Sequence, residues 1–187
     1  MLKRLTSLIL AVVFVFAIGA AVAEAPEVAA PEFTGPYVVT TCGQSPGAAM
    51  FQVLARLNGA VSVNDNSLSL DKFVTDGNKT LIVTTGTSGK GMGAAGTDVD
   101  GEIARCTALI EKAKEAGMTV VTAHVEGMAR RTDSADQASI DNIMPLGDVM
   151  IVIADSDSDG LFTKISEENN IPLIVVPTAL DLKAYLK

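Results

Sequence analysis

Hydrophobic positions along this chain gather into short continuous runs instead of alternating with polar ones. Five such runs occupy residues 37–41, 81–85, 119–123, 149–154 and 173–176, and they are rich in Val and Ile. Apolar runs of this length without alternation describe strands covered on both faces, as a parallel sheet requires. A weaker run at residues 60–63 adds one short strand. Between the runs the apolar spacing changes to a helical one. Ser45 reads as an N-cap with Pro46 at the first helical position, followed by Ala49, Phe51, Val53, Leu54 and Leu57 before Asn58-Gly59. A second helix is expected over 101–116, with Ile103, Cys106, Leu109, Ile110 and Ala113 on one face. Further helices are expected over 134–144, 161–169 and 179–186. No internal repeat interrupts the alternation of strand and helix. It predicts an α/β three-layer sandwich with a flavodoxin-like (Rossmann-like) parallel sheet of about five strands, in the order 2-1-3-4-5.

The first 36 residues do not share this pattern. Lys3 and Arg4 precede an apolar stretch over 8–20, and Ala21-Val22-Ala23 supplies small residues at the spacing of a signal-peptidase site. The stretch is shorter than the roughly 20 apolar residues that a membrane span needs. Residues 1–23 therefore read as a cleaved signal peptide of a periplasmic or secreted protein, with an uncleaved anchor as the rival. Residues 24–36, rich in Ala, Pro and Glu, read as a tether to a single α/β domain over 37–187.

Export changes the charge. The whole chain carries −8, and removing residues 1–23 leaves 12 basic side chains against 22 acidic ones, about −10. Such a surface repels phosphate backbones and anionic lipid, which disfavours nucleic acid and membrane-surface partners and leaves no membrane span after cleavage. Two cysteines, Cys42 and Cys106, are too few for a disulfide framework. One bridge between them is open in an oxidising compartment, and the sequence does not decide it.

In a parallel sheet the loops that follow the strands share one edge. These loops would bring together Cys42, Gln44 and Ser45 from the first, Gly86, Ser88 and Lys90 from the second, His124, Glu126, Arg130 and Arg131 from the third, and Asp155, Asp157 and Asp159 from the fourth. Within the second loop, residues 91–96 match GxGxxG, but five residues separate them from the strand and an acidic stretch precedes the next helix. A dinucleotide site needs that turn at the strand's end, opening directly into a helix. Gly91 also stands where a Walker motif would place Ser or Thr. The stretch over 86–102 therefore reads as a mobile glycine-rich flap carrying Lys90, and no cofactor is expected. At its end Thr97 and Asp100 resemble a capping pair.

The remaining motifs are individually weak. Cys42 lies at a helix entrance, where a thiol can be activated, but Cys42-Gly43-Gln44-Ser45 is not CxxC and Ala48 replaces the arginine of a phosphatase loop. Asp155, Asp157 and Asp159 are spaced like the first half of a calcium loop, yet Ser166 stands at its twelfth position and a strand precedes it. Asp159 would equally cap the helix after it. His124 and Glu126 share a side of an extended segment, with no second histidine to complete a metal site, and Arg130-Arg131 could clamp a carboxylate.

Together TTCGQSPGA, SGKGMGAAG and DGLFTKISEENNIPLIVV resemble a family of bacterial exported proteins known only as a domain of unknown function, family 6305. The resemblance covers nearly all of the chain after the signal and implies one exported α/β domain, with no activity or catalytic residue to carry over. The residues themselves favour a binding module over an enzyme, holding a small polar or anionic metabolite through Cys42, Gln44, Ser45, Gly86, Ser88, Lys90, His124, Glu126 and Arg130. Two alternatives stand beside it. One is a hydrolase using Cys42 with His124, or a metal held by His124 and carboxylates. The other is an envelope interaction domain without a small ligand, with a transporter or another envelope protein as partner.

Overall fold

The structure, a computed structural model, describes residues 33–187. The expected signal peptide and most of the tether lie outside the described residues. The strands are β1 (Tyr37–Cys42), β2 (Ser62–Asn64), β3 (Thr80–Thr85), β4 (Thr119–His124), β5 (Val149–Ile153) and β6 (Leu173–Val176). They form one open sheet in the order β2-β1-β3-β4-β5-β6, and every pairing is parallel. The expected α/β class and the order 2-1-3-4-5 hold for its core. The count rises from about five to six because the weak run forms a real edge strand, shifted to Ser62–Asn64.

All six positions of both β1 and β3 are buried. This is why their sequences are continuous rather than alternating. One face carries Tyr37, Val39, Ile82, Val121 and Ile151, covered by Phe51, Leu54 and Ala55 of α1 (Gly47–Leu57) and by Leu182 and Leu186 near the C-terminus. The opposite face carries Val38, Cys42, Leu81, Val83 and Val120, covered by Cys106, Leu109, Ile110 and Ala113 of α3 (Val99–Glu115). Beside them, Met150 and Val152 pack against Ile140 of α4 (Ser134–Ile143) and Phe162 and Ile165 of α5 (Leu161–Asn169). The last segment, Ala179–Tyr185, is a 3-10 helix instead of the expected α-helix. Residues 144–146 add a short 3-10 turn after α4.

Three local expectations are corrected by hydrogen bonding. Pro46, not Ser45, occupies the N-cap of α1, and the Ser45 hydroxyl instead lies 3.2 Å from that of Thr41. At α3 the cap is Asp98, whose carboxylate accepts from Gly101 N at 2.9 Å, in place of the Thr97–Asp100 pair. The glycine-rich stretch is not a flap. Residues Gly89–Ala95 form α2, opened by the Ser88 side chain, which accepts from Gly91 N, and closed by Gly96 in the left-handed region at φ 70°.

The glycines of α2 have different roles. A Cβ at Gly91 would sit 2.6 Å from the Gln44 carbonyl oxygen, so this helix is pressed against the loop after β1. Gly93 faces open space. Gly91→Ala should therefore cost about 1–3 kcal/mol through overpacking, whereas Gly93→Ala should be neutral or stabilise by up to about 1 kcal/mol through helix propensity. Urea unfolding of both variants checks this, and equal effects would contradict the assigned contact.

Candidate functional site

The sheet order reverses direction between β1 and β3, so the loops after these two strands flank the switch point where α/β proteins open a crevice. Here the loops are joined to each other. Gln44 and Thr87 form an isolated antiparallel bridge, and Ser88 N donates to the Gly43 carbonyl at 2.8 Å. The approach demands glycine at Gly43, with φ 124°, because a Cβ there would fall 2.6 Å from the Gly86 oxygen. Gln44 adopts φ 59°, a conformation that costs a side-chain-bearing residue energy and persists only where its surroundings enforce it.

Those surroundings are carboxylates. Glu102, on the first turn of α3 and only 2% exposed, receives four hydrogen bonds. Gly43 N (3.0 Å) and Arg105 Nη2 (2.7 Å) donate to Oε2, and Gln44 Nε2 (3.1 Å) and Arg105 Nε (3.3 Å) donate to Oε1. Arg105 spends its other N–H groups on Thr40 Oγ1, Leu68 O and Thr41 O. Asp136, on α4 and equally buried, also receives four, from the amides and hydroxyls of Thr87 and Thr132. Burial opposes its charge, but these donors outweigh it and hold the carboxyl below the usual range. Glu126 takes Gly47 N at 2.9 Å, so the positive end of α1 already has its anion. Its other oxygen accepts from Arg130 Nε at 3.0 Å, and Arg130 Nη1 reaches Thr87 O at 2.7 Å. The expected convergence of the first three loops is thus present, held by internal anions.

The remaining candidates divide by side of the sheet. Cys42 and His124 lie on the α3 face, with Thr85 between them in the row across β1, β3 and β4. The Thr85 hydroxyl is 3.0 Å from His124 Nδ1, while Nε2 lies 3.2 Å from the Gly127 carbonyl. Only a donor satisfies a carbonyl, so Nε2 carries the proton and Nδ1 accepts from Thr85. The ring stacks on Phe162 with centroids 5.2 Å apart, is fully buried, and is driven below its ordinary pKa chiefly by that burial. Neither nitrogen points at the Cys42 thiol, so the geometry of a thiol–imidazole pair is missing. Gly86, at φ 111°, lies with its α-carbon against the Arg130 side chain. Ser45 is buried, Ser88 half-buried, and Lys90 exposed on α2 without an ion pair among the described residues.

The aspartates of the calcium alternative serve three different partners. Asp155 accepts from Met128 N, Asp157 from Phe162 N and Thr163 N at the start of α5, and Asp159 is gripped bidentately by Arg131 at 2.6 and 2.7 Å. That grip lowers the Asp159 carboxyl to about 2. Among the described residues no group of three His, Cys, Asp or Glu could hold a metal. Arg131, expected to clamp a carboxylate, clamps one of the chain's own.

The bracing roles of Glu102, Arg105, Asp136, Thr87 and Ser139 escape a reading by sequence, although two carry a signal. Glu102 stands four residues before Cys106, and Asp136 four before Ile140, each continuing an apolar stripe one turn upstream.

A family model described as a domain of unknown function, DUF6305, matches residues 34–187. No curated protein matches. Among solved structures, psychrotrophic esterase EstA from Pseudoalteromonas sp., inhibited by monoethylphosphonate, aligns over 75% of this chain and 77% of its own. Identity is 15% and the TM-score 0.35, too low to bear on chemistry.

Two outcomes follow from the buried groups. Glu102→Ala leaves Arg105 and Gly43 N without their acceptor and should cost about 3–5 kcal/mol in urea unfolding. His124, the only histidine, binds its proton more weakly folded than unfolded. Stability should therefore be complete above about pH 6.5 and fall as pH drops below it, by at most about 1.4 kcal/mol per unit. His124→Gln should remove that limb, which begins below about pH 6.5, while leaving the acid limb of the carboxylates. An unchanged profile would contradict the neutral buried ring.

Proposed function

For a chain that belongs to the DUF6305 family, whose function is unknown, we propose an exported, non-catalytic binding domain that holds a small polar or anionic metabolite on the rim above the switch point. One observation supports this reading most. Lys90 and the second terminal nitrogen of Arg130 have no internal partner among the described residues, although both flank loops fixed by buried carboxylates. Because Glu102, Asp136 and Glu126 already accept the nearby loop amides, recognition runs through side chains. Gln44, Ser88, Lys90 and Arg130 face that task, with Glu126 orienting Arg130. A phosphate cradled by amides at the start of α1 fits this arrangement poorly, since Glu126 holds that place. A carboxylate bound by the two cations fits it better.

A second reading has its own support. At the β6 edge, Val175, Leu180 and Tyr185 are exposed around an open depression of about 630 Å³, flanked by Asn58 and Lys183. That surface suits an envelope protein partner without a small ligand.

Native mass spectrometry of gently purified protein, followed by thermal-shift screening of small carboxylates and amino acids, tests both. Under the first reading one compound raises the melting temperature, and Lys90→Ala combined with Arg130→Ala weakens it at least about tenfold, the worth of one charge-assisted hydrogen bond. Undiminished affinity in the double variant would sink the rim site. Under the second, Leu180→Glu would abolish association while the screen stays blank.

A further inference from the structure

The chain contains two cysteines, 64 positions apart, and both are free thiols with no solvent exposure. They belong to one buried cluster, Cys42 on the sheet face and Cys106 on the helix that covers it. Cys106 Sγ lies 3.6 Å from the carbonyl oxygen of Thr41, the peptide that leads directly into Cys42. The strand end is held there from three sides. Gly43 N donates to Glu102 one turn before Cys106 on α3, Arg105 Nη2 donates to Thr41 O, and Ser139 Oγ donates to the Cys42 carbonyl at 2.7 Å. Both cysteines thus sit in one buried cluster on backbones that are firmly held, and it is the placement of the backbone that usually decides whether a cross-link can form.

We propose that Cys42 and Cys106 form a disulfide when the chain folds in an oxidising environment, joining the exit of β1 to α3. The oxidant is a disulfide of the thiol-exchange class. One cysteine thiolate attacks it and expels a first thiolate, leaving a mixed disulfide. The second cysteine thiolate then attacks the protein sulfur of that mixed disulfide and expels the other thiolate. Two protein thiols lose two protons and two electrons, and the reagent is reduced to two thiols. The link must form before the core closes. Neither sulfur is accessible to an external disulfide afterwards. The bond would duplicate covalently what Glu102 does by accepting from Gly43 N, anchoring the first loop to α3. This inference is independent of any ligand on the rim.

The full chain is unfolded in denaturant and refolded either with reductant or in a mixture of reduced and oxidised glutathione. The proposal expects the second sample to be a monomer about 2 Da lighter, with a peptide linking Cys42 to Cys106 and a melting temperature on the order of 5–10 °C higher. In Cys106→Ala the two refolding buffers should give identical masses and melting temperatures. The proposal falls if the oxidised wild type still yields two alkylatable thiols after denaturation, pairs only between chains, or melts below the reduced form. The wild-type mass decides the matter even if the variant fails to fold.

Discussion

The carboxylate of Glu102 is the point from which the switch-point edge is built. A parallel sheet ends its strands along one side and leaves the amides of the following turns inside the protein, where an unpaired N–H costs about 1–3 kcal/mol. Glu102 enters that space from α3 with all four acceptor sites filled, by Gly43 N, by Gln44 Nε2 and by two donors of Arg105. The ion pair with Arg105 is not itself a large source of stability, because removing both charges from water offsets most of their attraction. Its value is geometric. It ties β1, α3 and residues 65–68 into one arrangement, since Arg105 also reaches Thr40 and Leu68 and Gln44 reaches Asn66.

Asp136 and Glu126 repeat this solution on the neighbouring loops. Asp136 collects the amide of Thr87 from the loop after β3 together with that of Thr132 at the entrance of its own helix, and Glu126 collects Gly47 N at the start of α1. The result is an edge with its own anions, unlike a nucleotide site, where the ligand's phosphate fills that role. The same economy explains Arg130 and Arg131, which brace Glu126 and Asp159, and His124, which bridges Thr85 to Gly127 and stacks on Phe162. Polar residues that look reactive in the sequence are the fasteners of the structure.

What the sequence makes legible follows from how far each interaction acts. Burial on both faces writes itself into β1 and β3 as unbroken apolar runs, so the sheet and its order can be read directly. The weak second strand begins two residues later than its pattern suggests, because an edge strand buries little and leaves little pattern. The stretch after β3 reads as a flap because glycine suggests looseness, whereas Gly91 is small so that α2 can press on Gln44. Ser45 fails as a cap for a different reason: the competing acceptor for Gly47 N is Glu126, 79 positions away. Spacing rules see three or four residues, and the chemistry of this edge is nearly all long-range. Glu102 and Asp136 are visible only as acids lying on apolar helical stripes, which is where a buried carboxylate with an assigned partner has to sit.

An edge held in this way has consequences for how anything could bind to it. Gln44 at φ 59° is kept there by its bridge to Thr87, its bonds to Glu102 and Asn66, and the contact of Gly91 on its carbonyl. Ordering costs that a ligand would otherwise meet are already absorbed in folding, so a ligand on the rim would find its contacts in place and need few of them. Lys90 and the second terminal nitrogen of Arg130, without partners among the described residues, stand on that rigid frame, and the depression at β6 does not share it, resting on an edge strand whose side chains are mostly only partly covered. Preorganisation therefore distinguishes the two surfaces. A small solute with few atoms gains most from the stiff rim, whereas a protein partner, able to contribute area and a strand of its own, is better matched to the open edge.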